Sequence, residues 1–259
     1  MVISFLNQKG GVGKSTTTSN LMTYFTIQGK KVLGIDIDAQ GNLSKLCSAK
    51  TQNKKTILEL LLGQGTIQEC IQSTKYGYII PADIQLQVAQ MQLVANPMFY
   101  FKLKEILQPV EKDYDYILID CPPAVNLITT TALVATDYVI IPTEVEYLSL
   151  EGVKELSETI KAVQSRLNSK LQVMGMLYVR YNARRKLSKD LDEYMQTKAK
   201  EKFGASILPI KIRNTVDIPN SQARLESIFN YKPNSGVADD YKQLGEYINN
   251  KIKNGEQHK

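Results

Sequence analysis

The chain has 259 residues, 43% of them hydrophobic and 22% charged, enough apolar material for one large core. Thirty-two Lys and Arg against 26 Asp and Glu leave a net charge of +6, which points toward a polyanionic partner such as nucleic acid or an anionic surface. The one histidine, His258, lies in a polar tail, which excludes His-based triads, His-ligated zinc chemistry and histidine proton shuttles. Cys47, Cys70 and Cys121 are far apart and odd in number, and read as reduced thiols. No basic and apolar leader opens the chain, and no run reaches the ~18 apolar residues of a membrane span. A cytoplasmic protein is expected.

In chain order, Val2–Leu6 reads as a strand and residues 15–28 as a helix ending near Gly29. Lys31–Asp36 is a second strand, and Tyr78–Ile80 a third, closed by Pro81. Tyr116–Asp120 is a fourth, stopped by Pro122 and Pro123, and Tyr138–Ile141 a fifth, stopped at Pro142. Val173–Val179 is a sixth and Ile207–Ile212 a seventh. Helical patterns fall at 84–93, 98–111, 150–167, 187–203 and 237–253. Unbroken β-branched runs mark strands buried on both faces, and their alternation with helices marks parallel crossovers. The expectation is a doubly wound α/β fold, a mostly parallel sheet flanked by helices, with residues 1–259 as a single domain.

The segment Asn7-Gln8-Lys9-Gly10-Gly11-Val12-Gly13-Lys14-Ser15-Thr16 follows a strand and opens a helix, the context a phosphate loop requires. Three glycines in four residues let successive N–H groups converge on one anion, and the helix N-terminus adds partial positive charge. Lys14 is placed to reach the β- and γ-phosphates of a nucleotide, and the Ser15 hydroxyl to bind Mg²⁺. Acidic groups are expected at strand ends, where a parallel sheet presents its ligands. Asp120 ends the fourth strand and is placed as a Walker B carboxylate, holding Mg²⁺ directly or through water. Asp36 and Asp38 end the second strand, two residues apart and so on the same side of an extended chain. Cys121, with no His, Lys pair or second Cys nearby in sequence, reads as a packing thiol.

The loop departs from the standard Walker A: Gln8 stands where glycine is expected, and a second lysine, Lys9, precedes Lys14 by five residues. Lys-Gly-Gly-Val-Gly-Lys-Ser resembles the deviant Walker A of the ParA/MinD family of ATPases. The resemblance extends to Asp36-Ile37-Asp38-Ala39-Gln40-Gly41-Asn42 (with Ala39 for the usual proline), to Tyr114–Pro123, to Ile141–Gly152 and to Tyr181-Asn182-Ala183-Arg184. It implies that Lys9 reaches the nucleotide of a second subunit. It also implies that Asp38 orients the attacking water, that Asp36 backs the phosphate loop, and that Arg213 and Asn214 approach the adenine. Because the phosphate loop begins within ten residues, the short, Soj-like form without a helix-turn-helix module is expected.

Ten basic residues against four acidic ones between 180 and 213 leave an excess of six, equal to that of the whole chain. A localised basic face without a base-reading motif suits sequence-independent binding to phosphates, with Arg184, Arg185, Lys186 and Lys189 as the first candidates. The resemblance implies an ATP- and Mg²⁺-dependent hydrolase whose ATP-bound homodimer binds DNA non-specifically. A centromere-binding ParB-type partner would release it by stimulating hydrolysis, and the protein would sit on the nucleoid rather than a membrane. Two rivals stand beside it: a MinD-like membrane-associated positioning ATPase, and a reductase or ligase built on the same loop. Val237, Tyr241, Leu244, Ile248 and Ile252 form one apolar helical stripe, read as core packing rather than a membrane anchor.

Overall fold

The structure, a computed structural model, describes residues 1–87, 97–145, 150–182 and 189–256. Among them eight strands form one sheet: β1 (Val2–Phe5), β2 (Val32–Asp36), β3 (Gln72–Thr74), β4 (Gly77–Ile80), β5 (Tyr116–Asp120), β6 (Tyr138–Thr143), β7 (Gln172–Tyr181) and β8 (Ile207–Arg213). The helices are α1 (Lys14–Ile27), α2 (Asn42–Leu46), α3 (Ile57–Leu61), α4 (Ile67–Cys70), α5 (Lys102–Leu107), α6 (Leu127–Val134), α7 (Leu150–Arg166), α8 (Lys189–Phe203), α9 (Asp217–Ala223), α10 (Ile228–Tyr231) and α11 (Gly236–Glu256). The strand order is β3-β4-β2-β5-β1-β6-β7-β8, parallel except for the antiparallel edge pair β3 and β4. The doubly wound, mostly parallel sheet is therefore as the sequence suggests. The order reverses beside β1, so the phosphate loop leaves the sheet at the crevice where such folds bind ligands.

Alternate residues of the central strands feed two cores. Leu33, Ile35, Ile117, Ile119, Val139 and Ile141 pack on one face with α3, α5, α6, α7 and α8. Ile3, Phe5, Leu118 and Ile140 pack on the other with α1 and α11. Each strand thus needs apolar side chains at every position, which is why its sequence reads as an unbroken run. The stripe Val237, Tyr241, Leu244, Ile248 and Ile252 is buried in the second core, so α11 is a core helix. It lies so close to α1 that a Cβ on Gly245 would collide with the Tyr24 ring. No helix of the described residues is long and apolar enough to cross a membrane.

Three sequence expectations are corrected. β6 does not stop at Pro142 but runs through Thr143, paired with β7. Proline normally breaks a central strand for want of an N–H. Here β1 has already ended, and the Pro142 carbonyl is taken by Asn7 Nδ2 at 2.6 Å, so no ladder bond is lost on that side. The helix expected over 98–111 is a 3-10 turn (Pro97–Phe101), then α5, then a second 3-10 turn (Glu111–Asp113), with Pro109 ending α5. The short elements β3, α2, α3, α4, α6, α9 and α10 were not expected. Most of the helix expected at 84–93 lies outside the described residues.

Candidate functional site

The phosphate loop turns on two left-handed residues, Gly11 (φ 74°) and Gly13 (φ 76°), the second of which caps α1. A Cβ at either position would meet no neighbouring atom, so backbone conformation rather than crowding demands glycine there. Asn7 braces the entrance: its Oδ1 accepts from Lys9 N at 3.0 Å while its amide holds Pro142. Lys14 folds back over the loop, and its Nζ donates to the carbonyls of Asn7 (3.1 Å) and Lys9 (3.2 Å). Burial lowers its pKa, and Asp120, Cys121 and Asp38 oppose that shift. A buried ammonium whose partners are only carbonyls is poised to exchange them for an anion.

The two strand-end carboxylates that face each other across β2 and β5 differ sharply. Asp36 is fully buried and well partnered: it accepts from Asp38 N (3.1 Å), Ser44 N (2.8 Å) and Ser44 Oγ (2.7 Å). Burial pushes its carboxyl up to about 7, against the pull of those bonds. It thereby ties α2 to the end of β2 and shapes the loop carrying Asp38, whose own Oδ1 accepts from Gln40 N at 3.0 Å. Asp120 is equally buried, yet neither of its oxygens has a hydrogen-bond partner of good geometry. Burial raises its pKa well above the ordinary carboxylate range, Asp36 adds to the shift, and nearby Ser15 and Lys14 counter it. An orphaned buried carboxylate facing a serine at the start of α1 fits a hard divalent cation with oxygen ligands.

Gly10, Gly11, Gly13, Lys14, Ser15 and Thr16 line an open cavity of about 500 Å³, together with Asp38, Gln40 and Arg180. Val12 is buried beneath the loop. A second cavity adjoins it at Gly13 and Thr16, walled by Arg213 and Asn214 with Ile212, Pro219 and Tyr241. Arg213 is fixed by a bidentate pair with Asp240, Nε at 2.8 Å and Nη2 at 2.7 Å. Lys9 stands at the rim, its Nζ 3.2 Å from Glu144 Oε2. Gln222, from α9, reaches across to donate to Thr16 Oγ1 at 2.7 Å. Glu144, Arg180, Gln222 and Asp240 were not singled out in the sequence. Glu144 lies within the Ile141–Gly152 stretch and Arg180 within the basic stretch, but neither pattern gives it a role of its own; Gln222 and Asp240 are isolated polar residues that no motif spacing marks.

The basic stretch is less open than its composition suggests. Lys198 pairs with Glu201, Lys211 with Asp192, Arg213 with Asp240 and Arg180 with Glu144. Lys200 is exposed. Lys189 is the first residue of α8, and Arg184, Arg185 and Lys186 lie outside the described residues.

A parallel sheet, a glycine-bent loop capping the next helix and an unpartnered carboxylate across from that helix together define a P-loop nucleotide-binding protein. Residues 1–173 match the family model described as an AAA domain. The chain is 35% identical to the sporulation initiation inhibitor protein Soj of Bacillus subtilis, over 95% of this chain and 97% of that protein. It is 38% identical to the chromosome-partitioning ATPase Soj of Treponema pallidum, over 81% and 83% of the two chains. Its fold superposes with a TM-score of 0.84 on cobyrinic acid a,c-diamide synthase from Mycobacterium smegmatis with bound ADP and magnesium, at 28% identity over 98% and 96% of the two chains. The chain belongs to the Soj/ParA family of partitioning ATPases.

Proposed function

We propose that this chain hydrolyses ATP with Mg²⁺ to drive partition of a DNA molecule, acting as one domain over residues 1–259. The observation that carries this reading is the pairing of a two-lysine phosphate loop with the unpartnered Asp120. Gly10–Thr16 would wrap the phosphates with backbone N–H groups, and Lys14 would exchange its carbonyl partners for the β- and γ-oxygens. Ser15 and Asp120 would hold Mg²⁺, which supplies charge neutralisation on the phosphates. Asp38, free to accept a further hydrogen bond through Oδ2, would orient the attacking water, and Asp36 would fix the loop that carries it. Arg213 and Asn214 would border the base. Lys9 would leave Glu144 and reach the nucleotide of a second subunit, making the dimer ATP-dependent.

In this reading the dimer binds DNA without regard to sequence through Arg184, Arg185, Lys186 and Lys189. A ParB-type partner stimulates hydrolysis, and the protein resides on the nucleoid. The MinD-like alternative is disfavoured by α11, whose apolar stripe is buried in the core. The test is Lys9→Ala followed by analytical sedimentation and fluorescent-nucleotide titration. ATP affinity should stay nearly constant while the ATP-dependent dimer disappears. A variant that still dimerises with ATP refutes the cross-subunit role. Co-sedimentation with duplex DNA, rather than with anionic liposomes, then separates partition from membrane positioning.

A further inference from the structure

β7 ends irregularly, and the irregularity points at the nucleotide cavity. Its register against β8 passes from Tyr178 opposite Lys211 to Tyr181 opposite Arg213, three steps on one strand against two on the other. Within that step Arg180 takes a left-handed backbone (φ 50°), uncommon for a residue with a side chain. Bulges beside functional sites re-aim a side chain, and this one lies at the strand ends, where the sheet presents its ligands. Arg180 borders both the cavity of the phosphate loop and the cavity walled by Arg213 and Asn214. It therefore stands where a chain of phosphates would pass from loop to sugar.

Its partner is equally informative. Arg180 Nη1 lies 2.8 Å from Glu144 Oε1, while Glu144 Oε2 lies 3.2 Å from Lys9 Nζ. One carboxylate thus takes two cations, one on each oxygen, at the mouth of a site built for an anion. Glu144 is largely enclosed, with 14% of its side chain exposed, whereas Arg180 is 62% exposed and can swing. A lone acid there would repel phosphate; paired, it stores two cations within reach of it.

We propose that Arg180 is a phosphate ligand for a nucleoside di- or triphosphate, supplied by the β7 bulge from the same subunit, and that Glu144 is the counter-ion it leaves on binding. This rests on the reading that the phosphate loop holds a nucleotide. A guanidinium suits the task because its planar fork matches two phosphate oxygens at once.

The test is titration with a fluorescent ADP analogue and Mg²⁺ in an otherwise unaltered chain. Arg180→Gln should weaken binding by about 5- to 10-fold, the effect of one partly exposed charged contact. Arg180→Gly accepts the left-handed backbone without strain and removes the charge, so it should weaken binding equally; Arg180→Lys should retain most of it. A purely structural role for the bulge inverts that order, making glycine harmless and lysine no better than glutamine, and would overturn the proposal. Glu144→Gln should tighten binding by about 2- to 3-fold, since its resting hold on Arg180 is lost; weakened binding would overturn the counter-ion role. Lys14→Ala run alongside separates the failures. If it binds ADP normally, the phosphate-loop reading itself falls; if it fails to bind while the glycine and glutamine variants bind within twofold of the unaltered chain, only the role of Arg180 falls.

Discussion

The two halves of the nucleotide crevice are built on different physical terms. At the centre of the sheet, β1, β2 and β5 pair in unbroken parallel register and deliver Lys14, Asp36 and Asp120 into a buried space. On the flank, β6, β7 and β8 slip register three times and border ion pairs, Glu144–Arg180 and Asp240–Arg213, in which an enclosed carboxylate holds a half-exposed arginine. Charges at the centre have been desolvated in advance, and their pKa values are displaced by it. Those on the flank remain partly in water and hold partners they can exchange. On the proposed function, the centre would be pre-organised for a polyphosphate and its cation at a cost to the empty protein, whereas the flank stays adjustable. Substitutions at the centre should act in an all-or-none way and those on the flank in a graded way.

The largest effect is expected at Lys14. Lys14→Ala should weaken ATP binding by about 10³-fold, the loss of two or more charge-assisted contacts, measured by fluorescent-nucleotide titration. A loss of less than tenfold would place the centre and the flank on the same footing. Asp38→Ala should leave ATP affinity nearly unchanged but lower single-turnover hydrolysis by about 10²-fold or more, as loss of a water-orienting group does. Normal turnover would remove Asp38 from the chemistry.

Asp120→Asn tests the cost of pre-organisation directly. It should lower Mg²⁺-dependent hydrolysis, yet stabilise the nucleotide-free protein by about 1–3 kcal/mol at pH 8, since the unfolded chain ionises this carboxyl freely and the folded protein resists it. The sign follows from the direction of the shift. Burial raises the folded-state pKa of Asp120, so the folded protein holds a proton that the unfolded chain releases, and stability falls as pH rises from about 4 through the folded value. The gain from Asn should therefore be large at pH 8 and small near pH 4, read from denaturant midpoints across that range. A gain independent of pH would mean that Asp120 is not the strained group. The smallest effect belongs to the flank. Asp240→Ala frees Arg213 beside the second cavity and should change ATP affinity by only about 2- to 5-fold, because the arginine is half exposed. A collapse of binding there would show the flank to be as rigid as the centre.

The same division decides what the sequence could reveal. Central strands are buried on both faces, so Tyr116–Asp120 and Val32–Asp36 read almost to the residue, and the glycines of the loop declare its curvature. The flank and the short elements depend on tertiary partners instead. Pro142 reads as a strand stop because the sequence does not show that β1 has already ended beside it. Helix α6 is an apolar run, Leu-Ile-Thr-Thr-Thr-Ala-Leu-Val, whose helical start comes from Asn126 accepting from Thr129 N at 3.0 Å. The roles of Glu144, Arg180 and Asp240 arise from residues 27 to 135 positions apart meeting at one edge, a relation that no local spacing encodes.

The burial of the three cysteines has a practical chemical consequence. The Cys47 and Cys121 thiols are pushed far above the ordinary range by desolvation, and Cys70 is pushed up to about 11 by the same cause. Only the thiolate reacts with maleimides, iodoacetamides or peroxide, so all three should stay inert while the fold is intact. A cysteine introduced on an exposed position, such as Lys200, would then be the single fast-reacting thiol of the native chain. Fluorophores or cross-linkers could be placed there without removing any natural cysteine, and sudden labelling of the buried three would serve as a sensitive reporter of local opening.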